Sequence, residues 1–165
     1  MKTLFIALRA VLYGTGFVLL WGWLALSVRV YDRRLPVSLP PSVAPLGLVV
    51  LGLGALLAFS CVATFVLRGR GTAAPFDPPR VFVVSGPYRF VRNPMYLGAW
   101  LLLAGLGLFE GSVSILLLSF GMLLAAHLFA VLVEEPGLEN RFGKGYLDYK
   151  GTTNRWIPRR PGRPS

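Results

Sequence analysis

Residues 95–133 read MYLGAWLLLAGLGLFEGSVSILLLSFGMLLAAHLFAVLV, and this stretch decides the fold. It holds two apolar runs, Met95 to Phe109 and Val113 to Val133, separated only by Glu110, Gly111 and Ser112. A connection that short forces antiparallel neighbours and leaves no room for a folded loop, so the spacing predicts a helical hairpin. A bilayer core about 30 Å thick needs roughly 20 apolar residues per helix. The second run is long enough, whereas the first is short for a full span. Upstream, Leu4 to Val28 and Val43 to Leu67 are two further runs of spanning length. The expectation is an all-α, polytopic membrane helical bundle with about four transmembrane helices and a C-terminal interfacial helix, forming one membrane domain.

Composition points the same way. The 165 residues are 55% hydrophobic and 15% charged, with a mean hydropathy of +0.62, a balance that belongs to membrane proteins. The first run follows Lys2 but is too long for a signal peptide, is interrupted by Arg9 and precedes no small-residue cleavage site, so it reads as a retained helix. Cys61 is the only cysteine, which excludes an internal disulfide or a cysteine-based metal site.

The net charge of +10 raises nucleic acid as a partner, and the placement of the basic residues argues against it. Arg68, Arg70, Arg80, Arg89 and Arg92 lie between the second and third runs, and Arg141, Lys144, Lys150, Arg155, Arg159, Arg160 and Arg163 follow the fourth. The loop after the first run holds only Arg29, Arg33 and Arg34. By the positive-inside rule both termini and the 68–93 loop are cytoplasmic, with anionic lipid headgroups rather than nucleic acid as the partner of the charge.

The chain then divides into two N-terminal helices (1–67), a cytoplasmic loop (68–93), the hairpin (94–133) and a cytoplasmic C-terminal segment (134–165). Gly and Ala sit where close packing is expected, at Ala10 and Gly14 and at Gly47, Gly52 and Gly54. GRGTAAPFDPPR (69–80) is a Gly and Pro-rich loop. At the far end, Pro136 is expected to stop the incoming helix at Glu135 and to start a new one. On that new helix Leu138, Phe142 and Tyr146 form an apolar stripe at spacings of four, suited to the headgroup layer and weakened by Gly143 and Gly145.

Polar groups at membrane depth need a reason, and they fall in two clusters. In Tyr88, Arg92, Asn93 and Tyr96, Pro94 presets a helix start and Asn93 stands where an N-cap belongs, so capping and an interfacial tyrosine belt explain the cluster as well as a binding site does. Glu134 and Glu135 are adjacent carboxylates at a helix C-terminal end, where the macrodipole is unfavourable; arginines of the preceding loop or a cationic ligand would relieve it. His127, the only histidine, is read as an inter-helix hydrogen bond, and no metal is expected because no second histidine exists.

GPYRFVRNPMY, a hairpin, EEPGLENRFGKGYLDY and RWIPR, in that order, resemble the isoprenylcysteine carboxyl methyltransferase family and its phospholipid methyltransferase relatives over about residues 80–160. The resemblance implies a small helical membrane enzyme, bacterial in type and placed in the inner membrane, that uses S-adenosylmethionine without a Rossmann domain. It implies cofactor contacts from Arg80, Val81, Phe82, Val83, Tyr88, Asn93, Pro94, Met95, Tyr96 and Glu134. Arg92 and Glu135 are the candidate catalytic residues, Glu135 as a proton acceptor should the methyl acceptor be an amine. Two positions depart from the eukaryotic pattern: Asn93 replaces a histidine and cannot gain charge, and Ala130 replaces an arginine associated with a prenylcysteine carboxylate. The implied activity is methyl transfer to a lipophilic acceptor entering from the bilayer. Its rivals are an NADPH-dependent reductase of sterol-reductase type and a non-catalytic membrane subunit.

Overall fold

A computed structural model describes residues 2–69 and 82–158, and among these residues it contains helices and no strands. The main helices are α1 (Lys2–Val28), α2 (Ala44–Thr64), α3 (Pro94–Phe109), α4 (Val113–Phe129), α5 (Glu135–Phe142) and α6 (Lys144–Thr152). Among the described residues three stretches are long and apolar enough to cross a membrane: Leu4–Arg34, Pro41–Arg68 and Val113–Phe142. With 16 residues, α3 reaches only about 24 Å at 1.5 Å per residue, the shortfall expected of it.

The hairpin is built as its sequence implies. Gly111 adopts φ +64° and donates to the Leu108 carbonyl, while the Ser112 N–H bonds the Gly107 carbonyl at 2.8 Å. This pair of bonds is a Schellman ending, which requires a left-handed residue where Gly111 stands. Ser112 then caps α4, its Oγ accepting from the Ile115 N–H at 3.1 Å. A second cap comes from the 3-10 turn Arg29–Arg34 that follows α1, where Asp32 Oδ1 accepts from the Ser114 N–H at 2.8 Å.

Helix α2 packs against α3 along glycines seven residues apart on each. Gly47 and Gly54 face Gly105 and Gly98, and a Cβ on Gly54 would lie 2.6 Å from the Leu102 backbone nitrogen. The expected packing role holds for Gly47 and Gly54 but not for Gly52 or Gly14, where an added Cβ would meet no other element within 4 Å. On the other face of α3, Ala25, Leu103, Ile115 and Met122 form a small core joining α1, α3 and α4, with Trp21 and Trp100 against it.

Two expectations are corrected. Pro136 does not end the incoming helix: α4 continues through a wide π turn, Ala130–Glu134, straight into α5. Proline lacks the N–H that would bond the carbonyl four residues back and its ring crowds that carbonyl. The wide turn, in which the Glu135 N–H reaches back to the Ala130 carbonyl, opens the backbone just ahead of it and lets the chain pass. Nor do Leu138, Phe142 and Tyr146 share one helix. Gly143 at φ +54° breaks the segment into α5 and α6, so Phe142 and Tyr146 close from two helices onto Phe82.

Candidate active site

The two polar clusters meet at the end of the hairpin away from its turn. Tyr96, one turn into α3, donates its phenol to Glu134 Oε2 at 2.9 Å, across 38 residues of sequence. Next to it Glu135 is buried, its side chain 5% exposed, and Arg155 grips it with Nε at 2.7 Å and Nη2 at 3.0 Å. Arg92 Nη2 stands 3.3 Å and Lys150 Nζ 3.6 Å from the same carboxylate. Lys150 also binds Glu139. These contacts hold Lys150 and Arg155 above their ordinary values, the bonds to Glu139 and to Glu135 respectively contributing most.

The C-terminal segment is stitched to the loop before α3 by backbone as well as side chains. The Arg92 N–H bonds the Asn154 carbonyl at 2.9 Å and the Asn93 N–H bonds the Arg155 carbonyl at 3.3 Å. Tyr149 Oη donates to the Tyr88 carbonyl at 2.5 Å. Phe82 rests against Phe142, Tyr146 and Tyr149 with ring centroids 5.2 to 5.8 Å apart, and Phe65 covers Tyr88 at 4.8 Å. Burial pushes the phenols of Tyr88, Tyr146 and Tyr149 above the usual tyrosine value, so this aromatic lid stays protonated.

Two features distinguish this cluster from a closed structural one. Arg92 Nε and Nη1 and Asn93 Nδ2 are buried and find no hydrogen-bond partner among the described residues. Such orphans are costly in a finished core. Glu134, half-buried, receives the Tyr96 phenol and no cation among the described residues. Side by side, the site offers unmet donors and an unneutralised carboxylate.

Tyr88, Val83, Asn93 and Pro94 are buried, and Phe82, Met95, Tyr96 and Glu134 are half-buried around the same end of the hairpin. Arg80 and Val81 lie outside the described residues. Asn93 precedes α3 as an N-cap would, yet its side chain caps nothing. The cations that relieve the paired glutamates come from both sides of the chain, Arg92 from the preceding loop and Arg155 and Lys150 from the following segment, and all serve Glu135. Glu135, expected as a proton acceptor, is therefore surrounded by three cations, with Arg155 hydrogen-bonded to both of its oxygens. His127 does make a hydrogen bond, accepting from Trp156 Nε1 at Nδ1 over 3.1 Å, although the partner lies in the C-terminal segment and not on another helix. Arg155, Lys150, Tyr149 and Trp156 carry no expected role; the signal available for them was the string RWIPR and the basic residues that follow the paired glutamates.

The phospholipid methyltransferase family model matches residues 43–145, from the start of α2 through the hairpin to the first residues of α6. The chain belongs to this family. The family includes the isoprenylcysteine carboxyl methyltransferases, and its match supports a membrane methyltransferase. No curated protein matches the chain. The matched span covers Tyr96, Glu134, Glu135 and Arg92, whereas Lys150, Arg155 and Trp156 lie beyond it.

Proposed function

We propose that the chain is an S-adenosylmethionine-dependent methyltransferase acting on a lipophilic acceptor, with its site at the cytoplasmic face of a bacterial inner membrane. The observation that carries this reading is the pairing of unmet Arg92 and Asn93 nitrogens with an unneutralised Glu134. An amino-acid zwitterion is the complement of that arrangement, its carboxylate answering the donors and its ammonium answering Glu134. The aromatic faces of the lid favour a cation and an adenine ring. S-adenosylmethionine supplies a zwitterion, an adenine and a methyl group on a sulfonium.

In this reading each side chain has a mechanical task. Tyr96 orients Glu134, and Glu135 holds Arg92 with its free nitrogens unspent. Phe82, Phe142, Tyr146 and Tyr149 exclude water from the reacting end. Methyl transfer is an in-line displacement, so positioning and dehydration are the main contributions asked of the protein. With Glu135 committed to three cations, the acceptor arrives already nucleophilic, as a carboxylate, a thiolate or a neutral amine. The basic residues that flank the site are placed by the positive-inside rule on the cytoplasmic side with both termini, against anionic headgroups.

Calorimetry in detergent tests the reading. The full chain should bind S-adenosylmethionine saturably, and Glu134→Gln should weaken binding about tenfold, the loss of one charge-assisted contact, while leaving thermal unfolding within a few degrees of the parent. No binding by a folded parent chain would sink it. A fluorescence response to NADPH in place of S-adenosylmethionine would favour a reductase.

A further inference from the structure

Beside the site, between α3 and α4, runs a groove of about 310 Å³ lined by Leu97, Phe120, Leu123, Leu124, His127 and Trp156. Four of its walls are hydrocarbon or phenyl, and Phe120 and Leu124 are 57% and 61% exposed, so the groove opens outward on the surface of a membrane-spanning helix. From Phe120 to His127 it extends about 10 Å along α4, at 1.5 Å per residue. Its polar end lies at the site: Trp156 packs against both His127 and Tyr96, at 6.0 and 6.5 Å between ring centroids, and Tyr96 holds Glu134.

The geometry at that end defines one donor. Trp156 Nε1–H can only donate, so His127 Nδ1 accepts and the imidazole carries its proton on Nε2. Among the described residues Nε2 has no hydrogen-bond partner, and the ring lines the groove. An apolar channel reached from the bilayer, with a single N–H at the end that adjoins the site, is complementary to a hydrocarbon chain whose head carries an oxygen acceptor.

We propose that this groove seats the hydrocarbon chain of the methyl acceptor, and that His127, held in one tautomer by Trp156, is a positioning residue that hydrogen-bonds an oxygen of the acceptor's head. The assignment rests on the methyltransferase reading for its purpose, but the binding it describes needs no cofactor. It predicts discrimination of two kinds. Chain binding depends on the open width between Leu97 and Leu123, and head recognition depends on the His127 N–H. A purely hydrocarbon ligand occupies the groove without feeling His127.

Photolabelling of the full chain in detergent micelles tests both parts, with a stearic acid carrying a mid-chain diazirine as probe and the corresponding diazirine octadecane as the headless control. Labelling should saturate, be competed by unlabelled stearate, and map by mass spectrometry to residues 97 and 120–124. Leu123→Phe, which fills the groove, should abolish the saturable component for both probes. His127→Phe should raise the half-saturating concentration of the acid about tenfold, the value of one buried hydrogen bond to a charged group, and leave the octadecane unchanged, with His127→Gln recovering part of the loss. Even, uncompeted labelling over the outward faces of α1 and α4 would overturn the groove. Equal effects of His127→Phe on both probes would overturn the role of His127. S-adenosylmethionine binding, measured separately on the same variants, reports the methyltransferase reading and the integrity of the fold, so failure of one leaves the other legible.

Discussion

The two ends of the α3–α4 hairpin solve the same problem in opposite ways. At the turn, charge is used at the surface: Arg29 Nη1 meets Glu110 Oε2 at 2.7 Å with the two side chains 49% and 28% exposed, and Asp32 caps a helix. At the site end, Glu135 is buried among Arg92, Arg155 and Lys150, and nitrogens of Arg92 and Asn93 are left without partners. The turn pairs every charge it carries and leaves only the neutral Ser114 hydroxyl buried without a partner among the described residues. The site end carries more charge than its own contacts consume, the surplus that the proposed function assigns to a ligand.

The largest expected difference between the ends comes from removing the buried anion. Glu135→Ala leaves Arg92 buried without its counter-ion and frees the segment that Arg155 anchors. Breaking a buried pair from one side costs about 3–5 kcal/mol. Thermal unfolding in detergent should show a loss of that order, with S-adenosylmethionine binding lost as well. A loss under about 1 kcal/mol, the worth of an exposed pair, would place both ends in one class and remove the contrast.

The aromatic lid gives the site end a second signature, a pH dependence on the alkaline side. Burial, more than any neighbouring charge, raises Tyr146 and Tyr149 above their ordinary value. A phenol raised in the folded state contributes stability in full below its unfolded value of about 10 and loses it as pH climbs toward the folded value. Alkaline unfolding, followed by circular dichroism, should therefore begin above about pH 10. Tyr149→Phe should flatten that slope. It should also cost about 1–3 kcal/mol at neutral pH, because the Tyr88 carbonyl loses the donor at 2.5 Å.

How much of this contrast is legible in the sequence depends on range. The hairpin is written locally, in two apolar runs and a Glu-Gly-Ser turn, and the chain folds as they dictate. Tyr96 and Glu134 are recognisable because motif order names them, and antiparallel geometry then brings them together over 38 residues. The passage of α4 through Pro136 is hidden, since nothing in AVLVE marks a π turn and the usual effect of proline points the other way. The partners of Glu135 are hidden for another reason. Seven basic residues follow Val133, and no periodicity says that Arg155 and not a neighbour reaches back 20 residues. Trp156 against His127 is of the same kind: each residue is conspicuous alone, and only the fold pairs them.

The turn end offers the smallest effects and the sharpest control. Asp32 accepts from the Ser114 N–H across 82 residues, so a cap on α4 is supplied by the 3-10 turn that follows α1. Asp32→Ala should cost about 1 kcal/mol, the ordinary worth of an N-cap. Because α1 otherwise meets the hairpin through the small Ala25, Leu103, Ile115 and Met122 core, the loss should appear as loosening of α1, read as faster amide exchange there. Arg29→Ala removes an exposed pair and should cost less than about 1 kcal/mol. Neither change touches Arg92, Asn93 or Glu134, so S-adenosylmethionine affinity should hold within about twofold, a shift of roughly 0.4 kcal/mol. If Asp32→Ala weakened cofactor binding tenfold while the site end stayed folded, the ends of the hairpin would be coupled through α4, and the division of labour between a closed clasp and an open site would have to be given up.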